Sequence, residues 1–237
     1  MEVFVRGRYR ARIADSDADM AASQNLRALA FDSDAEGDSY DLLSDHILIE
    51  EINSDRLVAS CRVMQLASGC YIENSYSAQF YDLSALANFN APMLELGRFC
   101  TDPDYTDPDI VRMAWAMMTR IVDGEGIRML FGCSSFSGCD AGIHSKAFAL
   151  LKRHQAPEKW QILPKANEVV PLQGSKETST RALRYMPPLL RTYLAMGGWV
   201  SDHAVVDRDM NTLHVFTAVE ISAIPEGRKR VLRAVAQ

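Results

Sequence analysis

Apolar and polar residues alternate through residues 3–13, with Phe4, Tyr9 and Ile13 set among arginines. That period of two reads as an edge strand. The spacing then changes to a helical one over residues 18–31, with Met20, Leu26, Leu29 and Ala30 on one stripe and Asp15-Ser16-Asp17 offering a cap in front. Residues 32–44 are acidic, contain Gly37 and predict a loop. Two strands follow at 45–52 and 56–65, joined by a turn at Asn53-Ser54-Asp55, and a short strand at Met93–Thr101. Residues 70–86 favour neither period.

Thr106-Asp107-Pro108 starts a long helix through Val122, with Pro108 near the first position, where its missing N–H is not needed, and Gly124 and Gly126 closing it. Residues 128–135 read as a buried strand and 141–154 as a helix. Residues 155–180 read as a polar, proline-bearing excursion. Pro187-Pro188 precedes a helix over 189–196 that Gly197-Gly198 ends. Residues 200–206 and 212–221 predict paired strands around a turn at 207–211, and the basic tail at 228–233 predicts a frayed end. This order of elements predicts an α/β fold, a mixed sheet flanked by helices. Residues 1–154 are expected to form the core and 155–237 a C-terminal extension packed on it in one compact domain.

Composition narrows the function classes. Of 237 residues, 48% are hydrophobic and 24% charged, an ordinary globular balance. No apolar run approaches the roughly 20 residues of a membrane span. The start is charged throughout, unlike a signal peptide, so a cytoplasmic protein is expected. A net charge of −6 argues against a general nucleic-acid binder. Five cysteines cannot all pair, and they read as reduced core residues. Cys133, Cys139 and His144 lack the spacing of a zinc site, so no metal is expected.

Four clusters carry candidate chemistry. Arg27 and Phe31 share a helix face, followed by Glu36, Asp38 and Asp41 in the acidic loop, and then His46. Such carboxylates can hold a cationic substrate or form a solvated loop, and the residues alone favour the solvated loop. Glu95 and Arg98 flank Gly97 inside an apolar strand. Charged residues there need partners, and a bulge at Gly97 would bring the two to one side, as a structural ion pair or as a base with its positioning group. The run from Leu130 to Asp140 is a strand leading into a Gly/Ser-rich turn, without a phosphate-loop or nucleophile-elbow signature. The fourth is the helix that begins Pro187-Pro-Leu-Leu-Arg191, followed by Asp207-x-Asp209.

Together these clusters resemble the ornithine lipid-forming acyltransferases, a GNAT-like family, over roughly residues 27–221. The resemblance rests on the Arg27/Phe31 pair, Asp38-x-x-Asp41 before His46, Leu94-Glu-Leu-Gly-Arg98, Leu130-Phe-Gly-Cys-Ser-Ser-Phe136, and the Arg191 helix with Asp207-x-Asp209. The N-terminal half is also similar to acyl-homoserine lactone synthases. It lacks their tryptophan in the acidic loop, and the Pro-Pro-Leu-Leu-Arg segment has no counterpart in them.

The resemblance implies a GNAT-like fold with splayed central strands. It also implies transfer of a (3-hydroxy)fatty acyl group from acyl carrier protein to the α-amine of ornithine, giving a lyso-ornithine lipid. The alternatives are a homoserine-lactone-type signal synthase or acylation of another amino acid such as glutamine. Glu95 is then the expected base and Arg98 its positioning partner. Arg27, Phe31, Asp38 and Asp41 are expected to bind the amino acid. The only cofactor expected is the phosphopantetheine arm of the carrier, met by Arg112, Lys152 and Arg153. Acetyl-CoA-using relatives carry a glycine-rich turn after the central strand; here residues 99–108 are acidic and hold no glycine. An amphiphilic product implies peripheral contact with the inner membrane, for which Leu189, Leu190, Leu194 and Met196 are candidates.

Overall fold

The computed structural model describes residues 3–31, 37–173 and 180–237; Glu36 lies outside them. The elements run β1 (Phe4–Arg6), β2 (Tyr9–Ile13), α1 (Asp17–Phe31), β3 (Asp45–Glu51), β4 (Arg56–Leu66), β5 (Tyr81–Asp82), β6 (Met93–Thr101) and α2 (Pro108–Gly124). Then come β7 (Met129–Ser137), α3 (Ser145–Leu151), β8 (Leu163–Pro164), β9 (Val169–Pro171), α4 (Pro188–Ala195), β10 (Trp199–Val200), β11 (His203–Asp207), β12 (Thr212–Glu220) and α5 (Glu226–Val235). The chain groups into two compact units. One comprises Met1–Gln65, Leu94–Ile127 and Glu226–Gln237, the other Leu66–Met93 and Arg128–Pro225.

In the first unit the strand order is β1-β2-β3-β4-β6. The expected single N-terminal strand is a hairpin: Gly7, at φ +60°, turns the chain so that Arg6 pairs with Tyr9. Ser16 caps α1 by accepting from the Asp19 N–H at 3.2 Å, and the helix buries Ser23, Leu26 and Arg27, a face spaced i, i+3, i+4. At the start of α2, Asp107 accepts from the Asp109 N–H at 2.9 Å; at its end Gly126, at φ +64°, lets Ile127 N–H return to the Val122 carbonyl. α2 keeps its polar residues Asp109, Arg112, Thr119, Arg120 and Asp123 on one stripe and buries every residue from Met113 to Met118.

Val63 lines a cavity of about 740 Å³ with Thr119 and Ile121 of α2, whereas Arg62 bonds to Asp41, which Arg27 of α1 also holds. Neighbours on a strand point to opposite faces, so α1 and α2 cover opposite sides of the sheet. The tail expected to fray is helix α5: Arg233 grips Asp123 with two 2.9 Å bonds, and Arg6 donates to the Ala234 and Val235 carbonyls.

The second unit orders its strands β7-β12-β11-β9, with β10 also on β12 and a separate β5–β8 pair. β7 and β12 form a nine-position antiparallel ladder, Thr212–Ser137 through Glu220–Met129. One face packs Phe136, Leu213 and Val215 against Ala147, Phe148 and Leu151 of α3 and Leu190 of α4. The other gathers Phe131, Phe216, Trp199 and Tyr81. The expected helix over 141–154 is shorter. Asp140 accepts from the Gly142 N–H and holds a turn ahead of Ser145, and residues after Leu151 tighten into a 3₁₀ turn. The apolar stripe expected to meet a membrane is core: Leu190 and Met196 are 0% and 1% exposed, and Leu189 and Leu194 are half-buried.

Candidate functional site

β4 crosses the core as an unbroken buried run from Val58 to Met64, and Arg62 sits inside it at 3% exposure. A buried guanidinium has to be paired, and the loop after α1 supplies the partners. Arg62 Nη1 donates to Asp41 Oδ1 at 2.7 Å and also to Asp38 Oδ1. Arg27 holds Asp41 from the other side with a two-pronged contact, 2.9 Å to Oδ1 and 2.6 Å to Oδ2. Arg98 Nη2 donates to Asp38 Oδ2 at 3.0 Å. Three arginines from α1, β4 and β6 thus fix two carboxylates of the loop. The loop is also tied internally: Asp41 accepts from the Asp38 N–H, Asp38 from the Tyr40 N–H, and the Tyr40 ring lies 5.6 Å from the Arg62 guanidinium.

Gly37 lies close against this network, since a β-carbon there would be 2.3 Å from Gln24 Nε2, whose side chain would have to move, and 3.0 Å from Asp41 Oδ2. β6 brings Arg98 in through its backbone. Arg98 has φ +53° in the middle of the strand, the left-handed region that costs a non-glycine residue about 1–2 kcal/mol. Gly97, where the sequence predicts a bulge, directly precedes it. Gly97 itself lies over the Arg62 side chain, whose Nε would be 3.5 Å from a β-carbon. Glu95, 4% exposed, is on the same strand.

Burial alone would push the Asp41 carboxyl up, but Arg27 and Arg62 outweigh it and hold it well below the usual carboxylate range. Asp38 is lowered by the same balance, with Arg62 and Arg98 as its cations. Its side chain is 29% exposed against 2% for Asp41, so Asp38 is the carboxylate that solvent reaches. Burial pushes the His46 pKa down, leaving the ring neutral at pH 7. Its Nε2 lies 3.2 Å from the Asp41 carbonyl, which can only accept, so Nε2 carries the proton and Nδ1 accepts from Ser23 Oγ at 3.3 Å. Ser60 in turn donates to Ser23 at 2.5 Å. Cys100 and Cys61 are buried nearby, and burial pushes both thiols up, Cys100 to about 12, so neither is a ready nucleophile.

The other expected residues stand apart from this network. Phe31 ends α1, half-buried. Arg112 is exposed in the first turns of α2 and paired with Asp109. Lys152 and Arg153 are exposed on the 3₁₀ turn after α3. The acidic segment after β6 is largely compensated: Arg56 pairs with Asp102 and Asp104, and Arg8 with Asp107. Asp207 caps the β11–β12 turn through the Met210 N–H. No group of three or more His, Cys, Asp or Glu side chains fit to hold a metal exists among the described residues.

The sequence reading missed Arg62, Ser23 and Ser60. For Arg62 a signal was present: a lone arginine in a strand of apolar residues raises the same question of partners as Glu95 and Arg98 did.

The acetyltransferase (GNAT) domain family matches residues 20–116, which hold most of α1, the loop and β6. An N-acyl amino acid synthase from uncultured soil microbes shares the fold, with a TM-score of 0.51 over 91% of this chain and 93% of that one at 11% identity. The L-ornithine N(alpha)-acyltransferase of Brucella abortus is 28% identical over 92% of this chain and 86% of its own length. That of Rhodobacter capsulatus is 32% identical over 92% of both chains. By this whole-length kinship the chain belongs to the L-ornithine N(alpha)-acyltransferase family, on a GNAT-type α/β fold.

Proposed function

We propose that this protein transfers a fatty acyl group, of the 3-hydroxy type, from the thioester of an acyl carrier protein to the α-amine of ornithine, giving a lyso-ornithine lipid. The observation that carries the reading is the 32% identity, running the length of both chains, to an L-ornithine N(alpha)-acyltransferase. The geometry supports a role for each part. Asp41 is fully engaged by Arg27 and Arg62 and anchors the loop, while Asp38 keeps an exposed edge on which a cationic amino acid can pair. Glu95, buried on the distorted strand, is the base that takes the ammonium proton, directly or through water. The freed amine attacks the thioester carbonyl; the C–N bond forms, the C–S bond breaks, and the sulfur leaves as a thiol once protonated. Backbone N–H groups beside Arg98, whose φ is positive, are the groups proposed to steady the oxyanion.

The donor assignment rests on α2. A nucleotide pyrophosphate favours a free helix N-terminus. Here the Asp107 carboxylate already accepts from the Asp109 N–H and is itself bonded by Tyr9 and Arg8. A carrier-bound phosphopantetheine carries no pyrophosphate to place there. Arg112, Lys152 and Arg153 are the cations proposed to meet the acidic carrier. The test is a donor comparison: purified protein given one acyl chain on carrier protein or on coenzyme A, with ornithine as acceptor. The reading expects kcat/KM to be at least tenfold higher for the carrier donor. Equal rates would remove the carrier while leaving ornithine acylation intact.

A further inference from the structure

The chain is net acidic, yet two stretches of the second unit contain no acidic residue at all: residues 141–157 and 180–201. The cations in them include Lys146, Arg184 and Arg191, all exposed. These stretches lie together. Ala147, Phe148 and Leu151 of α3 share a core cluster with Met186 and Leu190, which follow the 3₁₀ turn Thr180–Tyr185. On the outside, the Lys146 ammonium sits 5.2 Å over the Tyr185 ring. Large apolar side chains stand open on the same two segments: Ile143 at 69% exposure, Tyr185 at 53% and Leu183 at 43%.

We infer that this face, built from the start of α3 and the turn before α4, docks the protein on an anionic lipid bilayer surface. The mixture of groups argues for lipid over a protein partner. Exposed apolar side chains interleaved with lysine and arginine match a headgroup layer above acyl chains, and tyrosine favours that boundary. The attraction has to be local to this face, because the molecule as a whole, with a net charge of −6, would be repelled by an anionic membrane. The apolar groups act by burial and the cations by attraction, so binding depends on both. This goes beyond the acyl-transfer reading: lipid binding is read without any turnover, so either idea can fail alone.

The test is co-sedimentation of the full chain with vesicles of phosphatidylglycerol and phosphatidylcholine, against phosphatidylcholine alone, at 0.1 M and 0.5 M salt. Each cation near an anionic surface contributes about a fivefold factor in partitioning. Arg184→Glu changes two charges and should weaken binding about twenty-fivefold; Ile143→Ser with Leu183→Ser should abolish it, and high salt should weaken it throughout. Circular dichroism checks that the variants are folded, and these side chains are exposed enough for folding to survive. In vesicle-free solution the KM for a carrier-protein donor should be unchanged in all of them. Two results would overturn the inference. One is equal binding to neutral and anionic vesicles in wild type and variants alike. The other is a raised carrier KM with vesicle binding intact, which would give the face to the carrier protein.

Discussion

Asp41→Asn separates the anchor of the acidic loop from its solvent-facing neighbour. The substitution keeps the shape of the side chain and removes its charge. In the wild type Asp41 receives three guanidinium bonds at 2.6–2.9 Å, two from Arg27 and one from Arg62. The side chains concerned are 9%, 2% and 3% exposed for Arg27, Asp41 and Arg62. Breaking a buried pair by neutralising one partner leaves the other charge stranded and costs about 3–5 kcal/mol. Asp38→Asn removes a carboxylate that water reaches, and its cost should be about 1–2 kcal/mol, discounted for that screening. With a urea slope of about 2 kcal/mol/M, the unfolding midpoint should fall by roughly 1.5–2.5 M for Asp41→Asn and by under about 1 M for Asp38→Asn. Adding Arg27→Met to Asp41→Leu should recover at least about 1 kcal/mol relative to additive losses, because it removes a stranded cation along with its partner. Equal midpoint shifts for the two asparagine variants would refute the view that the buried arginine pair on Asp41 holds this loop.

Acid should act on the same region in two steps. The folded His46 pKa is depressed, so its contribution is present above the unfolded value of about 6.5 and is lost as pH falls below it; the urea midpoint should drop between pH 7 and 5, and His46→Gln should flatten that drop. Asp38 and Asp41 are also depressed, so their share is complete above about pH 4 and goes only in stronger acid, a second fall that Asp41→Asn should reduce. Glu95→Gln should still fold and lose about 10²–10⁴-fold in kcat; wild-type turnover in the folded variant would make Glu95 structural. Asp107→Ser keeps a cap on α2 without the charge, so it should cost under about 1 kcal/mol and raise kcat/KM for an acyl-CoA donor, an effect absent if the carboxylate does not exclude pyrophosphate.

Where local chemistry is self-sufficient, the sequence was legible. The limits of β6 and the start of α2 follow from an apolar strand run and an Asp-Pro cap, neither of which needs a distant partner. The N-terminal hairpin was read as one strand because Arg6 to Tyr9 keeps its alternation through the turn, with Gly7 the single mark of a break. α5 was read as a frayed tail because its hold is tertiary: Asp123 and Arg6 lie more than a hundred residues away in the chain. The site divides in the same way. Arg27, Asp38, Asp41 and Arg98 could be singled out as residue types, but their joining through Arg62 depends on β4 lying beside β6 under the loop, which spacing along the chain does not encode. The exposed-loop reading of Asp41 failed for that reason, since the acidic run looks solvated until the arginines that bury it are known.

The central claim is acylation at the α-amine of ornithine. Its most direct measurement is mass spectrometry of the product formed by the purified protein from a 3-hydroxyacyl carrier protein and an equimolar mixture of ornithine, lysine, glutamine and S-adenosylmethionine, with fragmentation to locate the acyl group. The account predicts one dominant product, 3-hydroxyacyl-ornithine substituted at the α-nitrogen, lost in Glu95→Gln. A homoserine lactone, an acyl group on the δ-nitrogen, or preference for glutamine would contradict it.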